Sequence, residues 1–303
     1  MSAVSTSPSA DYHRTAIVPA SKLHRGLDAV VHGWWGRLLH RDAGAVKLRA
    51  EAEGIRARAA ELAGLSDEIL RGRLAQCRTA FRRGEALEEA VVAEALAFVA
   101  EAARRQLGLR PHAVQLMGAL AAWRGFLLEM ATGEGKTLTV SLAAVLSGWT
   151  GRPCHILTAN DYLASRDVAW LKPLYAFCGL TAGCVTGEMK PQERRANYHR
   201  DITYTTSKEV VADFLRDRLQ LGPLANSTRR LLRTMLQPGS AAQDGLVMRG
   251  LHTAVVDEAD SALIDEAVTP LIISRKEENE PLRLACEGAH RLAAALLPGE
   301  DYT

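Results

Sequence analysis

The stretch from Leu127 to Thr137, read Leu-Leu-Glu-Met-Ala-Thr-Gly-Glu-Gly-Lys-Thr, constrains this chain more than any other. An apolar run predicts a short strand over Leu127 to Met130, a turn with two glycines follows, and Leu138 to Leu146 has the apolar character of a helix. Strand, glycine turn and helix in that order build a phosphate cradle, because backbone N–H groups point inward and the helix N-terminus adds partial positive charge. Thr132, Gly133, Glu134, Gly135, Lys136 and Thr137 are the candidate cradle. Gly133 and Gly135 permit positive φ and a close backbone approach. Lys136 is the cation expected on the β and γ phosphates, and the Thr137 hydroxyl the expected Mg²⁺ ligand. The general pattern has Gly where this chain has Met130, so the loop is a variant. The competing reading is a glycine turn that only caps a helix.

A second stretch fits the first. Leu251 to Val256 is apolar and β-branched and delivers Asp257 and Glu258 at its end, as a buried parallel strand does when its carboxyl end faces a site. Asp257 is the candidate to hold Mg²⁺, and Glu258 to orient and deprotonate an attacking water. An acidic first helical turn is the alternative.

At 303 residues, 48% hydrophobic and 24% charged, the chain is globular and large enough for one large or two modest domains. A net charge of +2 gives no global field of the kind that marks a nucleic-acid binder. The five cysteines form no C-x-x-C pair and no zinc spacing, which fits a reducing compartment. The first 20 residues have no basic start and apolar core, so they do not read as a secretory signal, and no apolar run is long enough to span a bilayer.

Along the chain, residues 1–20 read as a flexible tail and 21–107 as an all-helical segment. Leu27 to Arg41 has helical spacing with Trp34 and Trp35 on one side; the simpler expectation packs the tryptophans on the body, the other lays the helix on a membrane surface. Ser66 is an expected N-cap and Gly84 an expected helix end. Glu88 to Gln106 carries Val91, Val92, Ala95, Leu96 and Val99 on its apolar side, and the pairs Arg82-Arg83 and Arg104-Arg105 read as solvated faces. Gly108 to Leu116 breaks the helical pattern. Gln115, which donates and accepts together, suits the edge of adenine. Strands over Pro153 to Thr158, Leu180 to Val185 and Asp201 to Thr206 alternate with helices opening near Asn160 and over Ser207 to Leu219, the pattern of a parallel sheet covered by helices. Residues 220–250 read as an inserted loop with one short helix. Ser261 to Glu266 reads as a short helix, Thr269 to Ser274 as a strand, Arg275 to Glu280 as a charged exit, and Leu282 to Leu297 as a helix.

Taken together, Leu65-Ser66-Asp67-Glu68, Leu107 to Arg110 with Val114-Gln115-Leu116, Met130 to Thr137, Asn160 to Ala164 with Arg166-Asp167, and Asp257 to Ser274 resemble the SecA family, ATP-driven motors for preprotein translocation. The resemblance covers roughly residues 45 to 274 and corresponds to the first of that family's two nucleotide-binding lobes. It implies a RecA-like, helicase-type P-loop sheet over 108–274, with 275–303 starting a preprotein-binding insertion. It implies ATP and Mg²⁺ as ligands, with Arg110 and Gln115 on the adenine side. It also implies a cytoplasmic protein, peripheral at the inner face of the plasma membrane. Its implied partners are the Sec channel, unfolded preproteins, anionic lipid and a second motor lobe supplied in cis or in trans.

The chain departs from the family pattern at Ala131 and Val268, where the family has Arg, at Thr206-Ser207-Lys208, and in a longer insertion after Leu219. The second lobe and its arginine finger are not found in these residues, so the expectation is ATP binding with slow turnover, since such a finger is worth roughly 10³ to 10⁵ in rate. Asp257-Glu258-Ala259-Asp260 also spells a box of RNA helicases, which makes a helicase lobe the alternative, and a nucleotide-binding interaction module the third reading. The segment from Asn160 to Asp167 argues against nucleic acid.

Overall fold

The computed structural model describes residues 25–39, 44–84, 88–222, 236, 246–265 and 279–296. Two compact units divide between residues 269 and 270. The expected tail, nearly all of the 220–250 insertion, the Thr269 to Ser274 strand and most of the charged exit lie outside the described residues.

The first unit begins with α1 (Leu27–Leu39). Its tryptophans do not pack on the body as expected: Trp34 is 66% and Trp35 55% exposed. Leu27, Val30, Val31 and Trp34 form one helical stripe, and among the described residues no surface accepts it.

Helix α2 (Ala45–Glu61) buries Leu48, Ala52 and Ile55, one face at helical spacing. A single 3₁₀ turn over Leu62–Gly64 redirects the chain. Helix α3 (Asp67–Arg83) starts where the Ser66 hydroxyl accepts the Ile69 N–H and stops at Gly84, whose φ of 78° satisfies the last carbonyls, so both expected caps hold. Helix α4 (Glu89–Leu107) is buried continuously from Ala95 to Ala103 and touches α2, α3, α6 (Lys136–Trp149) and α7 (Asp161–Phe177). The helical segment and the sheet therefore share one core.

The Arg104-Arg105 pair is not a solvated face. Glu101, 2% exposed in the middle of α4, accepts from Arg104 and Arg105 at 2.7 Å each. Arg105 also reaches Asp67 at 2.7 Å and the carbonyls of Leu62 and Leu65. Burial pushes the Glu101 carboxyl up, but the two guanidinium partners outweigh it and hold it below the usual range. The helical period hid this, because Arg104 and Arg105 sit three and four residues after Glu101 and so turn back onto the buried face.

Among the described residues four parallel strands form the sheet, in the order β2 (Ala182–Cys184), β3 (Ile202–Thr206), β1 (Cys154–Thr158), β4 (Thr253–Val256). Alternate residues of β1 serve two faces: Cys154 and Ile156 join the main core, whereas Leu157 packs on a second cluster with Val185, Tyr198, Val210 and Met248. Helix α7 starts at the Asn160 cap and α9 (Ser207–Leu221) at the Thr206 cap. Helix α8 (Pro191–Tyr198) has Pro at its first turn, as such a start favours. A five-residue π turn, Ser261–Asp265, follows β4. The second unit contributes α10 (Glu280–Ala295), capped by Asn279.

Asp217 on α9, only 1% exposed, accepts the N–H groups of Val247 and Met248 at 2.9 Å each. Those bonds fix where the chain re-enters before β4. Burial raises the carboxyl to about 6 despite them.

Arg105→Ala leaves two carbonyls and part of the buried Glu101 charge without a partner; the expected loss is about 2–4 kcal/mol, read from the urea midpoint. For Asp217 the folded protein holds a proton more tightly than the unfolded chain. Its contribution is therefore present in full below about pH 4 and is lost as pH rises through about 6. Urea titrations at pH 4.5 and 7.5 should show a fall of up to about 2–3 kcal/mol from this group in the wild type that Asp217→Asn lacks.

Candidate functional site

Helix α6 is the element that carries the loop. Almost every residue from Leu138 to Trp149 is buried, so the helix is fixed by apolar contact on all sides. Its N-cap is Gly135, with φ 81° and ψ 45°, and no side chain caps it. Two facts demand glycine there: the positive φ, and a Cβ that would stand 2.3 Å from the Gln115 Nε2. Gly133 also has a positive φ, at 89°. The first intrahelical closure is Thr139 N–H to the Gly135 carbonyl at 3.1 Å. The N–H groups of Lys136, Thr137 and Leu138 thus open onto the loop with no carbonyl a turn earlier, which suits an anion. Thr132, Gly133 and Glu134 are exposed and Lys136 and Thr137 half-buried.

Gln115 ties a second segment to this loop. The expected break over 108–116 ends earlier than the sequence suggested: α5 (Ala113–Trp123) starts after His112, and Gln115 lies in its first turn. Pro111 closes the irregular stretch, and the Gln115 Oε1 reaches back to accept the His112 N–H at 2.9 Å. Its Nε2 donates to the Glu134 carbonyl at 2.9 Å. One N–H and one lone pair of the carboxamide are left over, enough for a purine edge. Arg110 goes elsewhere. It lines a cavity against α2 and α4, and no described residue pairs with it.

The strand expected over Leu127 to Met130 is not formed; the chain there is irregular, and Leu127 is 91% exposed. A strand needs a ladder, and β4 ends the described sheet with its outer edge unpaired.

At the end of β4 the Asp257 N–H donates to the Leu157 carbonyl at 2.8 Å, continuing the ladder by one residue. The chain then turns at Glu258, whose φ of 58° is the one positive value outside glycine among the described residues. Such a conformation costs a β-carbon-bearing residue energy and places Glu258 at a sharp corner. Asp257 is half-buried. Burial raises its carboxyl, the Glu258 charge raises it further, and the Lys136 ammonium pulls it down. Asp257 therefore lies within electrostatic reach of both Lys136 and Glu258. A half-buried carboxylate beside a second one, with a hydroxyl on the facing helix, is an all-oxygen donor set that suits a hard divalent cation.

Asp167, quoted above only as part of the resemblance, is a residue to which the sequence reading gave no role at the site. It sits on α7, is 4% exposed, pairs with Arg166 at 2.7 Å, and adds its charge to those raising Asp257. The available signal was an acid placed between Ala164, Val168 and Leu171, the buried face of that helix.

Comparison with known proteins identifies the family. The family profile described as the SecA DEAD-like domain matches residues 36–301. The chain is 47% identical over 298 residues to the protein translocase subunit SecA 2 of Chlorobium chlorochromatii, covering 98% of this chain and 45% of that protein. It is 42% identical over 284 residues to SecA 2 of Magnetococcus marinus, covering 93% and 44%. Against the protein translocase subunit SecA of Carboxydothermus hydrogenoformans it is 42% identical over 257 residues, covering 85% and 27%. The chain thus spans less than half the length of these relatives. With a parallel sheet, a bare helix N-terminus behind a glycine loop and a family match over most of its length, the chain belongs to the SecA family and forms its DEAD-like, nucleotide-binding motor lobe.

Proposed function

We propose that this lobe binds Mg-ATP between the loop Thr132 to Thr137 and the Asp257/Glu258 pair, and hydrolyses it to help move unfolded polypeptide across the bacterial cytoplasmic membrane. The observation that carries the reading is that the uncapped N-terminus of α6, with Lys136 at its first position, lies within electrostatic reach of Asp257, which the β1 register places at the end of β4. The names of its relatives, protein translocase subunits, support the translocation part. No described helix is long and apolar enough to cross a membrane, which agrees with a peripheral place at its inner face.

Mg-ATP, when bound, supplies the γ-phosphoryl group and the metal charge that shields it. Lys136 would meet the β and γ phosphates, and the first-turn N–H groups of α6 would take the remaining anionic oxygens. The Thr137 hydroxyl and Asp257 carboxylate would hold the cation. Glu258 orients water and accepts its proton. Gln115 reads the adenine edge. The helical segment 21–107 braces the lobe 108–274, and 275–303 leads into a polypeptide-binding insertion. Partners of matching chemistry are the Sec channel, unfolded preprotein, anionic lipid and a second lobe in cis or in trans. These 303 residues assayed alone turn ATP over slowly, because an arginine finger from such a lobe supplies roughly 10³ to 10⁵ in rate.

The tetrapeptide Asp257-Glu258-Ala259-Asp260 favours one competing reading, a helicase lobe. Vesicles rich in anionic lipid together with an unfolded polypeptide should stimulate ATP turnover, and single-stranded RNA should not; stimulation by RNA alone reverses the assignment.

Glu258→Gln should retain Mg-ATP affinity within about threefold and lose turnover by roughly 10² to 10⁴, the range of a lost general base. Equal turnover in both proteins removes Glu258 from the mechanism. Glu258→Gly should also lose turnover yet melt at higher temperature, gaining about 0.5–1 kcal/mol as the strained corner relaxes.

A further inference from the structure

On the far side of the Gln115 turn lies a cavity of about 300 Å³ between α2, α4 and the stretch Arg110 to His112. It exists because α2 and α4 meet through methyl groups: Ala59, Ala60 and Ala100 line it, with Pro111 and Leu116 closing the floor. Three arginines, Arg56, Arg104 and Arg110, share this lining with one acid, Glu101. Both Glu101 oxygens are already taken by Arg104 and Arg105. Neither Arg56 nor Arg110 forms a hydrogen bond or ion pair with any described residue, so the cavity carries uncompensated positive charge over an apolar floor.

We propose that this cavity is a second ligand site, for a compact organic anion, and that its occupancy weakens nucleotide binding through Arg110, His112 and Gln115. An apolar body on alanine methyls with a carboxylate or phosphate head between guanidinium groups matches the lining. At roughly 30 Å³ for each heavy atom the space holds about ten of them. Coupling follows the bonds already described. Arg110 to His112 form the cavity wall, His112 N–H is held by the Gln115 Oε1 at 2.9 Å, and the Gln115 Nε2 holds the Glu134 carbonyl of the phosphate loop at 2.9 Å. A head group that draws Arg110 toward Arg56 shifts the Arg110 to His112 wall and so pulls on Gln115, the residue that fixes the loop. This coupling rests on the nucleotide reading; the cavity itself does not.

The test titrates benzoate and inorganic phosphate into the full chain by calorimetry, with and without saturating Mg-ATP. Benzoate should bind and phosphate bind more weakly, since phosphate has nothing to place on the alanines. Saturating benzoate should weaken Mg-ATP on the order of fivefold or more, and Mg-ATP should weaken benzoate by the same factor. Ala60→Phe, which fills the cavity, should abolish benzoate binding. Arg56→Glu should weaken it roughly tenfold or more, the worth of one charge-assisted hydrogen bond. Both variants should keep wild-type Mg-ATP affinity and lose the benzoate effect on it. No heat with benzoate, or equal benzoate binding in the wild type and both variants, overturns the site. Benzoate binding with unchanged Mg-ATP affinity overturns the coupling. Absence of Mg-ATP heat alongside a normal benzoate isotherm supports the site and sinks the nucleotide reading instead.

Discussion

Helix α6 has no solvated side along most of its length, and the geometry of the whole lobe follows from that. A helix held by apolar contact from Leu138 to Trp149 cannot slide or rotate without opening the core, so its N-terminal turn has a fixed position. The turn is left uncapped by Gly135, which leaves three backbone donors and a partial positive charge in place before any ligand arrives. Close contact behind it is secured by Gly118 of α5, where a Cβ would stand 2.7 Å from the Thr139 side chain. The anion site is thus a consequence of core packing, and the loop residues need supply only the curvature.

Packing of this kind is legible in a sequence where it leaves a local mark. The caps Ser66, Gly84 and Asn160 are local chemistry, and each ends or starts its helix where the residue type requires. The parallel strands are legible for a related reason, since short β-branched runs between helical stretches have few other uses. The Gly-Glu-Gly-Lys-Thr run sits where its glycines put it, in the turn before α6. What escaped were features decided by residues far apart in the chain. The Arg104-Arg105 pair looks like a wet face until Asp67 and the Leu62 and Leu65 carbonyls are brought to it across about forty residues. Leu127 to Met130 has strand composition, but a strand is a property of its neighbours, and none stands beside it among the described residues. Arg110 and Gln115 look like one motif five residues apart; the first turn of α5 sends one to the loop and the other to the cavity between α2 and α4.

The opposite wall of the site is organised by different physics. The β4 edge delivers Asp257 on the register of β1, and the next residue must leave that register abruptly. A glycine would do so at little cost, but the chain has Glu258 in a left-handed conformation. Local strain of this kind persists only where the surrounding structure over-determines it. Here the ladder fixes the residue before it, and the π turn Ser261–Asp265 follows within a few residues. Asp217 adds a second restraint upstream by holding the Val247 and Met248 N–H groups.

The charge balance at this wall explains why the two walls belong together. Asp257 is raised by its own burial, by the Glu258 charge and by Asp167, while the Glu258 backbone N–H and, from across the site, Lys136 act to keep it ionised. Two further acids beside a half-buried carboxylate are unfavourable for the lobe alone, and Lys136 does not offset them fully, since the Asp257 carboxyl stays raised on balance. A divalent cation at this position changes the sign of the problem, because the same acids that repel one another then share a positive partner. In the proposed complex, Mg-ATP would bring that cation together with phosphates suited to the α6 N-terminus and Lys136. Binding would then relieve like-charge repulsion on one wall while satisfying bare donors on the other, and each wall alone would hold only half of the ligand.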